Sequence, residues 1–216
     1  MYFRLLLLAG LASLPLLGTA QTTPTAPHYY VGLGASVLTS APFQRYSTPA
    51  IYSPTLTAGG QLSPRWALQL GIGLGWQHAG YTLSDPNGAP STIYSSTTQD
   101  RFLSVPVLAR YTFTAPTARW RVDALGGLML VHTASHTIYT VHYTNGREDE
   151  GTDTRYSDNT YSLSLGPAVR YALTPRVELT ANALVNAALN RGYYDSFSDR
   201  LFLNALVGAH YTFGAN

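Results

Sequence analysis

Bulky apolar residues alternate with small or polar ones along most of this chain, and the alternation has a period of two. The clearest case is WALQLGIGLGWQ at residues 66–77. Trp66, Leu68, Leu70, Ile72, Leu74 and Trp76 share one side, while Ala67, Gln69, Gly71, Gly73, Gly75 and Gln77 share the other. Successive side chains of a strand point to opposite faces, so this segment predicts a β-strand with one bulky face and one nearly bare. Seven further segments behave alike. Their bulky faces run Tyr29 to Val37, Leu56 to Leu62, Leu103 to Phe113, Trp120 to Leu130, Tyr161 to Tyr171, Val177 to Ala187 and Leu201 to Phe213, taking every second residue. Eight strands are expected.

Short and long connections alternate between them. The short ones are Ser63-Pro64-Arg65, TAPTAR at 114–119 and Thr174-Pro175-Arg176. The long ones cover about 39–54, 79–100, 134–159 and 190–200. A weak repeat marks the short-turn end: LSPRW at 62–66 returns as LTPRV at 173–177, and ARYTF, VRYAL and AHYTF close strands four, six and eight. This is the signature of an up-and-down meander able to close on itself. Pro106 and Pro167 fall inside predicted strands, where each deletes a ladder hydrogen bond; a bulge at either would compensate locally, and the register is kept through both.

The two faces decide what surrounds the barrel. A soluble barrel turns its bulky face inward. Here the companion face is too small for an outer surface and carries Arg110, Arg121, Asp123, Arg170, Glu178 and His210. An eight-stranded interior is just wide enough for side chains to fill, which suits such a face, and leaves the bulky face to meet lipid. Closure satisfies the backbone, because an open sheet edge in hydrocarbon cannot be paired. Trp66 and Trp76 are ten residues apart, which at ~3.3 Å per residue and a tilt of about 40° projects to about 25 Å, the height of a transmembrane barrel's apolar band. Tyr111, Phe113, Trp120, Tyr171, Tyr211 and Phe213 add to an aromatic girdle at the short-turn end. The expected fold is all-β, an eight-stranded antiparallel up-and-down transmembrane barrel.

Composition agrees. Charged residues make up 11% of the 216, well below the roughly 25% of an ordinary soluble domain. With no cysteine, disulfides, thiolate metal sites and a lipoprotein anchor are excluded, and with every basic residue an arginine there is no lysine for Schiff-base chemistry. At the N-terminus, Arg4 precedes an apolar run from Leu5 to Leu17 and then Gly18-Thr19-Ala20. That run is too short to span a membrane and has the layout of a cleavable secretory signal. The expected organisation is a signal peptide at 1–20, a short periplasmic leader at 21–28 and the barrel at 29–213.

On these features the chain resembles the small eight-stranded outer-membrane barrels of the OmpA-barrel and OmpX kind. The resemblance covers residues 29–213 and rests on the signal, the strand count, the turn–loop alternation and the aromatic-ended last strand VGAHYTF, although Gly214-Ala215-Asn216 follow Phe213. It implies a Gram-negative outer membrane, termini in the periplasm and long loops outside. It also implies contact with lipid and lipopolysaccharide, handling by the assembly machinery, a monomer, and neither cofactor nor nucleic acid. The peptidoglycan-binding domain of full-length OmpA-like proteins is not expected here.

Three candidate sites follow. The first is the lumen set Arg110, Arg121, Asp123, Arg170, Glu178 and His210. Pairing Phe113 with Trp120 across the turn would set Arg110 opposite Asp123, with Arg170 near Glu178. Such charges form either a structural ion-pair plug or an ion path, and the narrow interior favours the plug. The second is the loop surface, rich in tyrosine among Ser, Thr, Asn and Gly, a recognition mixture. Tyr94, Tyr139, Tyr143, Tyr156, Tyr193 and Tyr194 are the candidate ligand-binding residues, and alternation in ASHTIYTVHY and STIYSSTTQ extends strands four to six beyond the membrane as a sheet whose edge is open to a partner strand. The third is His132, Ser135 and His136, with His142 beyond. A histidine–serine pair at the outer rim would suit a lipid A-modifying acyl hydrolase or transferase, but a spacing of three puts His132 and Ser135 on opposite faces. The acidic stretch 146–159, with Glu148, Asp149, Glu150, Asp153 and Asp158, reads as a solvated loop tip without the alternation of a calcium loop.

Charge also separates the two ends. The loops and rim hold nine acids and six arginines, and the turns and lower lumen hold six arginines and two acids. The leading expectation is a structural or surface-binding role without an open pore, and the lipid A enzyme is the alternative. A soluble lipocalin-like carrier would need the reverse facial pattern.

Overall fold

The computed structural model describes residues 28–39, 50–85, 92–143, 150–190 and 197–213. The strands are β1 (Tyr29–Thr39), β2 (Ile51–Gln61), β3 (Trp66–Asp85), β4 (Thr92–Thr112), β5 (Trp120–Tyr143), β6 (Glu150–Ala172), β7 (Val177–Ala188) and β8 (Leu201–Phe213), with one 3₁₀ turn at Phe197–Arg200. Each pairs antiparallel with the next, and β8 returns to β1, closing the barrel. The proposed signal peptide lies outside the described residues.

Register fixes the barrel's shape. Starting at Tyr29, partners lead through Gly60, Leu68, Ala109, Gly126, Leu165, Val185 and Leu203, and arrive back on β1 at Thr39, ten residues further along. Eight strands with that stagger tilt by about 41°. The bulky face lies outside: Leu68, Leu70, Ile72 and Leu74 are all about half exposed. Among the described residues, no helix is long and apolar enough to cross a membrane; the strands provide the crossing.

The turns explain the closed end. Leu62 and Ser63 donate to the Trp66 carbonyl, and Leu173 and Thr174 donate to that of Val177, so the two SPR/TPR repeats make matching turns. Between β4 and β5 the Ala118 amide donates to the Ala115 carbonyl.

Several expectations need correction. Phe113 does not face Trp120; its amide donates to the Val122 carbonyl, and Thr112 lies opposite Asp123. The register is displaced by two residues because β5 begins at Trp120 by pairing with Tyr171 of β6 before it meets β4. The two prolines need no correction: the register runs through both, as expected, and neither makes a bulge. Around Pro106 the β3–β4 register is the same on both sides (Leu70↔Val107, Gly73↔Ser104), and around Pro167 that of β6–β7 is too (Leu165↔Val185, Ala168↔Asn182). Each proline turns its missing donor to one neighbour and stays in register with the other, at Met129 and Ala124. Gly71 gives the Pro106 ring room, since a Cβ there would lie 2.9 Å from its Cγ.

The stretch 39–54 is not all connection, because β2 begins at Ile51. Nor is 150–159 a loop tip; it is β6, paired with β5 from Val141↔Glu150 to His132↔Asn159. Glu148 and Asp149 lie outside the described residues. The lumen, finally, is not simply small and polar. Leu108, Leu125, Met129, Val131, Ala168 and Leu184 form a buried apolar layer inside it, backed by Leu38 and Phe202. The void beside Leu108 and Met129 is about 20 Å³, space for about one water.

Candidate functional sites

Below the apolar layer the inward residues of all eight strands converge. Asp123 of β5 is fully buried and accepts from Arg170 Nε at 2.6 Å, Arg170 Nη2 at 2.9 Å and the Thr112 hydroxyl at 2.7 Å. Arg170 also donates through Nη1 to Glu178 at 3.2 Å, and Arg121 donates to the other Glu178 oxygen. Arg110 reaches Asp123 only diagonally, at 3.8 Å, and hydrogen-bonds the Gln69 side-chain carbonyl. Its guanidinium lies over the Tyr30 ring, 5.4 Å from the centroid. Tyr30 stacks on His210 at 4.8 Å, and the His210 ring meets the Thr57 hydroxyl at 3.1 Å. Tyr30, Gln69, Thr57 and Thr112 complete the cluster and were missed because nothing charged marks them. Counting inward positions at the barrel's lower end would have found them.

At the rim of this end, outward aromatics meet in pairs: Trp66 with Tyr111 at 4.9 Å, Trp120 with Tyr171 at 4.6 Å, Tyr111 with Phe113 at 5.2 Å and Tyr29 with Phe213 at 6.2 Å. Tyr211 lies on the same outward face, in register with Val177 and Val31. Trp76 is exposed at the other rim, in register with Arg101.

At that end the barrel is uneven. β1, β2, β7 and β8 have 11 to 13 residues, whereas β3 to β6 have 20 to 24. The β2–β3 register runs to Thr55↔Gly73, with Ser53 and Ile51 still beside Gly75, and the β6–β7 register begins at Ser162↔Ala188, so among the described residues β3 to β6 continue above that level as a sheet of four. From Trp76 to Asp85 it rises about 22 Å, given ~3.3 Å per residue and the barrel tilt.

Alternation carries the lumen face upward as the sheet's inner face. It presents Tyr81 and Leu83 on β3, Tyr94 and Asp100 on β4, Ser135, Tyr139, Val141 and Tyr143 on β5, and Glu150, Tyr156 and Asp158 on β6. Tyr94 and Tyr139 stack at 6.3 Å. The Tyr139 phenol is raised above its ordinary value by loss of surrounding water and by the neighbouring phenols of Tyr94, Tyr81 and Tyr143. These tyrosines therefore form one patch on paired strands rather than on loops. Tyr193 and Tyr194 lie outside the described residues.

The outer face carries His78, Arg101, His132, His136, His142, Asp153 and Arg155. His136 pairs with Asp153 at 2.8 Å and His132 with the Asn159 side chain at 2.8 Å. Ser135 is on the inner face, opposite Tyr156, so the sheet separates it from both histidines. The histidine–serine pair that an acyl hydrolase needs is not assembled here. Among the described residues no group of three metal-ligating side chains occurs.

Comparison with known proteins agrees with this geometry. A family model described as outer membrane protein beta-barrel domain matches residues 5–213. Among solved structures, a major outer membrane protein from Thermus thermophilus superposes with a TM-score of 0.52 at 16% identity, covering 88% of this chain and 100% of that one. Ail, the attachment invasion locus protein of Yersinia pestis, seen with the heparin analogue sucrose octasulfate, gives 0.49 at 13% identity, over 88% and 100%. Neisserial surface protein A gives 0.43 at 17% identity, over 86% and 97%. No curated protein matches the chain.

Proposed function

The chain belongs to the outer membrane protein beta-barrel domain family, and from that premise we propose that it is a surface-binding barrel whose docking surface is the inner face of the protruding β3–β6 sheet. One observation carries this reading: Tyr81, Tyr94, Tyr139 and Tyr143 gather on one face of a hydrogen-bonded sheet, above the outer rim. Tyrosine offers broad, rigid contact area at low entropic cost, and a hydroxyl for orientation. Placing it on hydrogen-bonded strands preorganises the patch, which a mobile loop would have to order on binding. Passive shielding of the membrane requires only hydrophilic cover, not clustered phenols.

The edges support the same reading. Among the described residues, β6 above the barrel offers an edge with Glu150, Asp153, Arg155 and Asp158, charges that discourage pairing with a stray strand. The β3 edge, QHAGYTLS from 77 to 84, carries no Asp, Glu, Lys or Arg. An extended partner segment would add at β3 and lie beside Tyr81.

The test is adhesion of cells expressing the protein to epithelial monolayers and to immobilised extracellular-matrix proteins. The triple variant Tyr81→Ser, Tyr94→Ser, Tyr139→Ser changes only the protrusion and is expected to insert normally, read as heat-modifiable gel mobility. Adhesion should fall to the level of cells lacking the protein. Adhesion equal to wild type, or no adhesion by wild type itself, would leave the barrel a structural element of the envelope.

A further inference from the structure

We propose that the lower end of the lumen is a binding site for a small anionic solute, held through a carboxylate or phosphate group by Arg110, Arg121 and Arg170. The turn end of the barrel opens into a vestibule of about 660 Å³ whose walls include Tyr30, Arg110, Arg121, Arg170, Glu178 and His210. That volume lies within the usual range of small-molecule sites.

The charges do not balance. Three guanidiniums face two carboxylates, and the geometry shows where the surplus falls. Asp123 is taken up by Arg170 and Thr112, and Glu178 is divided between Arg170 and Arg121. Arg110 is left with a neutral amide, an aromatic face and a carboxylate at 3.8 Å. It is 1% exposed, and its Nε and that of Arg121 are buried with no hydrogen-bond partner.

Arginine cannot relieve this by losing its proton. A buried charge without a full partner is costly, and an added anion removes that cost while gaining bonds to planar, multi-donor groups. Three arginines from β4, β5 and β6 surround one opening, so an oxyanion entering it meets donors from several directions. The apolar layer above, from Leu108 to Leu184, gives the site a dry roof. The site faces away from the protruding sheet and is independent of the surface-binding reading.

The experiment uses the full barrel, refolded in zwitterionic detergent at constant ionic strength, with inorganic phosphate and acetate as separate probes. Phosphate is followed by ³¹P line broadening, and both anions by the thermal unfolding midpoint against a chloride reference. Saturable broadening and a midpoint that rises with phosphate or acetate are expected, since a ligand that binds only the folded state stabilises it. The stronger of the two probes identifies the anionic group. Arg121→Gln, at the more open wall, should fold and weaken binding about tenfold or more. Arg110→Gln should abolish the surplus and the binding together. If neither anion acts beyond chloride, or if Arg121→Gln and Arg110→Gln respond as wild type does, water alone balances the charge and the proposal fails.

Discussion

Asp123→Asn is the sharpest probe of the lumen, because it changes charge while keeping shape. In the native cluster three guanidiniums meet Asp123 and Glu178, a surplus of one positive charge; the substitution raises it to two. Arg170 keeps Glu178 at 3.2 Å, so the loss falls on the Arg170 fork to Asp123 and on Arg110, whose nearest carboxylate disappears. Removing one partner of a buried ion pair costs about 3–5 kcal/mol. Since Arg170 retains a second carboxylate, about 3 kcal/mol is the expected loss. Urea unfolding in phospholipid vesicles, followed by tryptophan fluorescence, should register it as a midpoint lowered by about 1–3 M, for a slope of ~1–3 kcal/mol/M. The double variant Asp123→Asn, Arg110→Gln restores the surplus to one and should recover part of the loss, a coupling that a cycle measures directly. A single variant within about 1 kcal/mol of wild type, with no recovery in the double, would show that the vestibule is wet enough to screen its charges and would refute the argument.

Further outcomes follow from packing. Leu125 is fully buried in the lumen layer, so Leu125→Ala should cost about 2–5 kcal/mol in the same unfolding assay. A Cβ at Gly127 would lie 2.1 Å from the Val107 carbonyl oxygen and one at Gly166 1.9 Å from that of Ala183, so Gly127→Ala and Gly166→Ala should displace a strand and reduce the heat-resistant band on gels. Gly126→Ala, whose Cβ would meet a Leu165 methyl at 3.6 Å and the Ser164 carbonyl oxygen at 4.0 Å, both ordinary contacts, should fold normally. Trp66, Trp76 and Trp120 face outward, and brominated acyl chains should quench their fluorescence; a barrel turned inside out would be spared.

Much of this fold is legible because a lipid-facing strand writes its pattern plainly. Trp66 to Trp76 name their face, and the repeated turns at Ser63-Pro64-Arg65 and Thr174-Pro175-Arg176 fix which end is which. Where both faces of a strand are wet the pattern fades. Residues 150–159 of β6 are exposed throughout, so composition resembles a loop and only pairing to β5 makes a strand. The lumen layer escaped for another reason. Leu108, Leu125, Met129 and Leu184 stand on the companion face, one or two per strand, and become a core only when register stacks them at one height. The Arg110–Asp123 contact shows the limit of local counting: the pair survives, diagonally, although the hairpin register lies two residues from the one the turn suggested.

The apolar layer also divides the molecule's chemistry. Below it, arginines, carboxylates and Tyr30 face the vestibule; above it, the same strands carry tyrosines and acids on an open sheet. Water filling the lumen would connect the two ends, yet the void beside Met129 holds about one molecule. A dry layer screens charge poorly, so it is the separation of the two sites that keeps electrostatic coupling weak, and any mechanical coupling must travel along β4, β5 and β6, the strands shared by both sites. Asp123 and Tyr139 are sixteen residues apart on β5, about 53 Å along the strand at ~3.3 Å per residue, far beyond the distance at which substitutions usually interact. Changes at the lumen charges should thus leave the tyrosine patch intact, so that stability and the proposed surface binding respond to separate substitutions.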